Sequence, residues 1–209
     1  MKIRMILAAG TLGTLLSTSA FADDESISAS AAAPRMRAQA QVELLPLGSG
    51  KQTLGDLSMS NDTALAYGIS AAFDYAITPY LSVGVAPRLV LNIKPDDQEG
   101  GTTDKEIDLR ARVVGHVPVA PGLEIYGSLS PGYAFVLTDQ DGINTPKGFA
   151  IAGAAGVTYD LSSKLFLGAE VGYQRAFISA DLMTAPGQTV STDLELSYMH
   201  IGIGAGTRF

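Results

Sequence analysis

Between Leu65 and Ile93 the chain alternates apolar with small or polar residues almost without a break. Leu65, Tyr67, Ile69, Ala71, Phe73, Tyr75 and Ile77 hold one parity. After Thr78-Pro79-Tyr80 the same parity resumes with Leu81, Val83, Val85, Pro87, Leu89, Leu91 and Ile93. The other parity carries Ala66, Gly68, Ser70, Ala72 and Asp74, then Ser82, Gly84, Ala86, Arg88 and Asn92. A period of two is the signature of a strand with two unlike faces. Each run exceeds the roughly 9–11 residues that a tilted strand needs to cross a bilayer. The stretch therefore predicts two membrane-spanning strands joined by a tight turn.

The same pattern recurs along the chain. A weaker first strand is expected over Ala38–Leu47, with Ala40, Val42 and Leu44 opposed to Gln39, Gln41 and Glu43. Later strands show Ile107 to Val119, Leu123 to Leu137, Phe149 to Tyr159, Leu165 to Phe177 and Met199 to Phe209 on their odd faces. Leu194 to Tyr198 reverses the parity, which predicts a bulge or a segment above the membrane. Long polar connections are expected at Gly48–Thr63, Lys94–Lys105, Thr138–Pro146 and Ile178–Ser191. They alternate with short turns at Thr78–Tyr80, Ala120–Gly122 and Asp160–Lys164. Eight strands with long loops on one side and short turns on the other predict an all-β fold. It is an eight-stranded antiparallel up-and-down transmembrane barrel, with the turns periplasmic.

Composition places this barrel. Lys2 and Arg4, an apolar run from Met5 to Leu16 and a small-residue end at Ala20-Phe21-Ala22 form a secretory signal peptide over residues 1–22. Residues 23–37 are small, polar and unpatterned, and are expected to form a flexible periplasmic tail ahead of a barrel over 38–209. The formal charge is −7 and becomes −9 once Lys2 and Arg4 leave with the signal, which argues against nucleic acid as a partner. No cysteine is present, so disulfides and thiolate metal sites are excluded. Apart from Lys2, the lysines (Lys51, Lys94, Lys105, Lys147, Lys164) fall in expected loops or turns. Outward aromatics gather toward strand ends. Phe73, Tyr75, Tyr80, Tyr159 and Phe209 lie toward the turns, and Tyr67, Tyr133, Phe135, Phe149, Tyr173 and Phe177 toward the loops, which predicts two girdles.

The signal peptide, the alternating strands and the terminal Phe209 together resemble the small outer-membrane barrels of the outer-membrane protein A and X type. The resemblance covers about residues 38–209 and is one of architecture. It implies a cell outer-membrane location in a Gram-negative envelope, with lipid and lipopolysaccharide as surroundings. It also implies that Phe209 forms part of the signal read by the barrel-assembly machinery. A monomer is expected.

The concentrated chemistry lies on the even, lumen-facing parity. Arg88, Arg110, Arg112 and Arg208 stand against Asp74, Asp108, Glu124 and Glu170, with His116 and His200 on the same face. The interior of an eight-stranded barrel is just wide enough for side chains to fill it. Charges there are poorly hydrated and must pair, so a paired network plugging the lumen is expected. Arg88, Arg110 and Arg112 are expected to reach Glu170 and Glu124 across the barrel. Ser70, Ser82, Ser128 and Ser130 face inward with no evident histidine in phase, so no catalytic residue is assigned. The histidines sit on distant strands, so neither a metal nor a cofactor is expected.

Weaker motifs receive ordinary readings. Gly202-x-Gly204-x-Gly206 has no helix after it and is expected to make room for bulky arginines or for curvature, not to bind a dinucleotide. Asp139 to Asn144 resembles the start of a calcium loop, but Ala150 occupies the place of the bidentate Glu. The acidic Pro95–Glu99 loop is expected to be solvated. Arg175 breaks an outward apolar stripe near the loops, where lipopolysaccharide phosphates would lie, and is assigned as a contact to them. The expected function is non-enzymatic: envelope structure or surface interaction through the loops. The alternatives are a narrow pore for small solutes and, less favoured, a lipid A-modifying enzyme.

Overall fold

The computed structural model describes residues 36–54, 57–95, 103–138, 145–185 and 188–209. Among these residues lie nine strands: β1 (Met36–Leu54), β2 (Leu57–Thr63), β3 (Ala66–Thr78), β4 (Leu81–Ile93), β5 (Asp104–Ala120), β6 (Leu123–Leu137), β7 (Lys147–Asp160), β8 (Leu165–Ala185) and β9 (Gln188–Arg208). Sequential neighbours pair antiparallel from β3 through β9, and β1 pairs with both β3 and β9, which closes an eight-stranded barrel. At the seam, Met36 and Phe209 exchange backbone hydrogen bonds of 2.9 and 3.0 Å. The terminal aromatic thus sits where the sheet closes, and its ring faces outward.

Inside and outside follow the expected parity over most of the barrel. In β5, for example, Glu106, Asp108, Arg110, Arg112, Val114 and His116 are buried, while Ile107, Leu109, Val113 and Val117 are exposed. The aromatics assigned to the two girdles are all exposed, as a lipid-facing surface requires. Pro87 and Pro131 each interrupt one ladder. No pairs form between Ser70–Arg88 and Phe73–Val85, nor between Arg110–Gly132 and Val113–Leu129, since proline has no N–H to donate.

Several boundaries differ from the sequence reading. The first strand begins at Met36, so Met36 and Arg37 belong to the sheet and not to the tail. The signal peptide and the rest of the tail lie outside the described residues, as do the acidic residues 96–102 and the calcium-like stretch 139–144. Gly48–Thr63 is not a loop: β1 continues upward to Leu54 and folds back as β2, from Gly48↔Thr63 to Leu54↔Leu57. The expected Ile178–Ser191 loop is likewise mostly a hairpin, because β8 and β9 stay paired to Ala185↔Gln188. β1 and β9 remain paired up to Thr53↔Asp193, so these arms join into one four-stranded extension on the loop side. Lys51, Lys105 and Lys147 therefore lie within strands, all near the loop side.

Of the two expectations for Leu194–Tyr198, the bulge is not found: Leu196 and Tyr198 keep the inward parity of His200, and it is the character of the inward residues that changes from polar to apolar. Pairing of β8 with β9 is unbroken there. A bulge does lie in the facing strand β1, between Leu44 and Leu47, just past Leu45, which keeps the inward parity of Glu43. A register shift between Val90 and Ile93 turns Ile93 inward, out of phase with Val90. It is made at Asn92, whose φ of 64° suits asparagine, and the Asn92 amide donates to the Leu65 carbonyl at 2.8 Å. Leu45, Val90, Ile93, Val136, Ile178, Leu196 and Tyr198 then pack together as an apolar cap across the loop-side end of the lumen.

Candidate functional site in the barrel lumen

Beneath the apolar cap the lumen is filled by three layers of polar side chains. The upper layer centres on Arg88 of β4. Its Nε donates to Glu43 Oε2 at 2.7 Å, and its Nη1 lies 3.7 Å from Asp108 Oδ2. Gln174 of β8 reaches across and uses both ends of its amide. Its Oε1 accepts from Arg88 and, at 3.3 Å, from Arg110. Its Nε2 donates to Glu106 Oε1 at 2.6 Å and to Asp108 Oδ2 at 3.0 Å. Arg88, Glu106, Asp108 and Gln174 are all at least 97% buried. A carboxylate or guanidinium so placed is tolerable only because partners replace its water.

The middle layer centres on Glu170 of β8. Its Oε1 accepts from Gln41 at 2.7 Å and lies 3.3 Å from His200 Nε2. Its Oε2 accepts from the Tyr126 hydroxyl at 2.7 Å and lies 4.0 Å from Arg112. Arg112 also sits 3.6 Å from Asp74 and over the Tyr126 ring. Small residues on β9 leave space for this layer and the one below. A Cβ at Gly204 would come within 2.5 Å of Gln41 Cβ, and one at Gly206 within 2.2 Å of the Phe166 ring. The glycine run makes room for Gln41 and Phe166, not for arginines.

The turn-side layer is tied by Arg37 of β1, which donates in a fork to both Glu124 oxygens at 2.6 and 2.8 Å. His116 Nδ1 lies 2.9 Å from Glu124 Oε1, and its Nε2 lies 2.9 Å from Ser82 Oγ. This corrects the sequence reading, in which Ser82 had no histidine in phase: β4 and β5 are paired neighbours, and their stagger brings the two together. Arg208 of β9 pairs with Asp160 and stacks over Phe166.

The expected charged residues do all face the lumen, but their partners differ. Of the three clustered arginines, only Arg112 meets Glu170. Arg88 takes Glu43 and Asp108, Arg110 takes Gln174, and Glu124 is claimed by Arg37. Glu43, Glu106, Gln174 and Tyr126 were missed although their parity points inward. Arg37 was assigned to the tail, and Asp160 to a turn. Arg175 lies outside, with Nη2 2.7 Å from Glu195 Oε1 and its guanidinium over the Phe177 ring. One pocket in the lumen, of about 30 Å³, is bordered by Arg112, Glu170 and His200 among others. Among the described residues, no group of three or more His, Cys, Asp or Glu side chains could hold a metal ion.

Comparison with known structures agrees with this architecture. The chain is similar to OprG of Pseudomonas aeruginosa, at 15% identity over 85% of this chain and 96% of that one, with a TM-score of 0.61. It is also similar to the outer membrane protein AlkL, at 17% identity over 90% and 97%, with a TM-score of 0.56. For Neisserial surface protein A the values are 14% identity, 83% and 97% coverage, and a TM-score of 0.53. At these identities the likeness is one of fold. Among curated proteins no sequence matches the chain. The family model for the outer membrane protein beta-barrel domain matches residues 10–209, and the chain belongs to that family.

Proposed function

We propose that this protein is a non-enzymatic outer-membrane barrel whose lumen is plugged by its own side chains, and that it serves envelope structure or surface interaction through its loop side. The observation that carries this reading is the filling of the lumen. Among the described residues, a lumen pocket of about 30 Å³ holds roughly a water molecule or two, and an apolar cluster lies across the loop-side end above it. This filling leaves little room for a hydrated solute. The barrel is monomeric in this reading, exported by a signal peptide cleaved after Ala22 and delivered to the assembly machinery by Phe209. It sits among lipid and lipopolysaccharide.

Single-channel recording of the refolded barrel in a planar bilayer tests the proposal. Silence, with a heat-dependent gel shift proving that the barrel has folded, is the expected result. Stable openings altered by Glu170→Gln or Arg112→Met would instead make the charged lumen a pathway.

The Ser82–His116–Glu124 arrangement has the order of a hydrolase triad. Ser82 is only 1% exposed, however, and its hydroxyl is taken up by His116 Nε2. We therefore assign the arrangement to packing. A fluorophosphonate probe should leave Ser82 unlabelled in the folded barrel. Labelling that Ser82→Ala abolishes would reopen an enzymatic role.

A further inference from the structure

Three segments of the chain pass from the barrel toward the loop-side extension at one height, and each breaks or shifts its pairing there. β1 does so at the bulge between Leu44 and Leu47, which contains Pro46, a residue with no N–H for the ladder. Between β2 and β3 the break is the two-residue joint Ala64–Leu65. In β4 it is the register shift between Val90 and Ile93. Beside each break stands one residue of the apolar cap: Leu45, Ala66 and Ile93.

The end of β4 ties this joint together. Asn92 Nδ2 donates to the Leu65 carbonyl at 2.8 Å, the Ala64 N–H donates to the Lys94 carbonyl at 2.9 Å, and Pro95 bridges to Thr63 at the foot of β2. Among the described residues, Asn92 is the one non-glycine residue with a positive φ, 64°. That conformation aims its amide at Leu65 and sends Ile93 into the cap. A strained backbone persists only where its surroundings hold it, and here the holders are the joint and the cap. The foot of the arm meets the cap on the β1 side as well. A Cβ at Gly48 would collide with Thr63 Oγ1 and stand 2.7 Å from the Tyr198 ring, so glycine seats the arm directly against the cap.

We propose that Asn92 to Pro95 form a latch through which the β1–β2 arm controls the apolar cap. With the latch closed, Ile93 fills the cap and the arm is seated on Tyr198. Drawing the arm away from the barrel parts Thr63 from Pro95 and frees Leu65 from Asn92. Asn92 then relaxes toward the ordinary β region, Ile93 turns out, and water reaches the cap. An event at the arm is thereby passed to the loop-side end of the lumen. The polar layers beneath stay in place, so the latch goes beyond the plugged reading and does not depend on whether the lumen conducts.

The chain holds no cysteine, so Leu196→Cys places a single thiol in the cap, where Leu196 is 4% exposed. The test is the rate at which a water-soluble maleimide modifies that thiol in the refolded full barrel. A heat-dependent gel shift shows that each variant is folded. Slow reaction is expected, against fast reaction of Ser163→Cys on an exposed turn. Asn92→Val puts a β-branched residue where φ is positive, and should speed modification of Leu196→Cys by about tenfold or more. Asn92→Gly keeps the conformation and loses only the bond to Leu65, so it should raise the rate less. A perturbation remote from the cap is Met59→Pro with Ser60→Pro. Of two adjacent strand residues one must donate to β1, so the pair unzips the arm, and it should also speed modification. A folded Asn92→Val barrel whose thiol stays slow would overturn the latch. So would a fast rate in Leu196→Cys alone, or an unzipped arm that leaves the rate unchanged. If Asn92→Val does not fold, the proline pair decides.

Discussion

Arg88 with Glu43 and Arg175 with Glu195 are the same chemical pair at the same separation, 2.7 Å. One lies in the lumen, with its side chains 0% and 2% exposed, and the other on the outer wall, at 46% and 31%. Distance alone would rank them equal. What differs is the medium that each charge would meet without its partner. Solvent is available to Arg175, whereas the Arg88 side chain is wholly shut away from it. A salt bridge is thus a statement about its surroundings before it is one about geometry.

The largest expected effect follows from removing Arg88. Arg88→Met leaves Glu43 and Asp108 with Arg110 as the one remaining guanidinium in a deeply buried layer, which should cost about 3–5 kcal/mol. Denaturant unfolding in one fixed detergent measures it. Adding Glu43→Met to Arg88→Met should recover part of the loss, because it removes one stranded acid. An Arg88→Met barrel that unfolds at the original midpoint would break the comparison at its strong end.

Arg37 gives the intermediate case. Its fork to Glu124 has ideal hydrogen bonds, but the two side chains are 18% and 15% exposed at the turn-side mouth. Water reaches Glu124 when Arg37 is cut back, and His116 remains beside it. Arg37→Ala should cost about 1.5–3 kcal/mol, the range for a hydrogen bond to a charged group. Added salt should narrow the difference between Arg37→Ala and the unaltered chain, and leave that for Arg88→Met nearly unchanged. Equal salt responses would mean that the two layers share one environment.

These contrasts also mark what the sequence could and could not reveal. Strand parity depends only on the local backbone, so the inward placement of Asp74, Arg88, Arg112 and Glu170 was legible, and so were the girdles. Partner choice depends on the stagger between strands, which no single strand encodes. That stagger sends Arg88 to Glu43 and joins Ser82 to His116. The apolar cap was hidden for another reason. Leu196 and Tyr198 keep their inward parity, as do Leu45, Val90, Val136 and Ile178 on their strands, and only Ile93 is turned in by a register shift, in β4. Arg37 was lost because the short run Pro34-Arg35-Met36-Arg37 carries no apolar alternation of its own. The loop-side hairpins were lost because Gly-Ser-Gly-Lys-Gln-Thr lacks the apolar rhythm by which strands are recognised. Its strands are held by pairing with β9 instead.

The smallest expected effect on stability is at the outer pair. Arg175→Ala should leave the unfolding midpoint unchanged within error, since both partners remain hydrated and Phe177 loses only a stacking cation. Its value to the comparison lies in a different readout. If the guanidinium is there to meet phosphate, Glu195 orients it and keeps it beside the loop-side girdle formed by Tyr173 and Phe177. Arg175→Ala should then reduce the lipopolysaccharide that co-purifies with the barrel. Glu195→Gln, which frees the guanidinium from its carboxylate, should maintain or increase it. Unchanged lipopolysaccharide in Arg175→Ala would count against the assignment and leave Arg175 a surface charge whose only task is its own partner. The outer wall would then differ from the lumen in cost, but not in purpose.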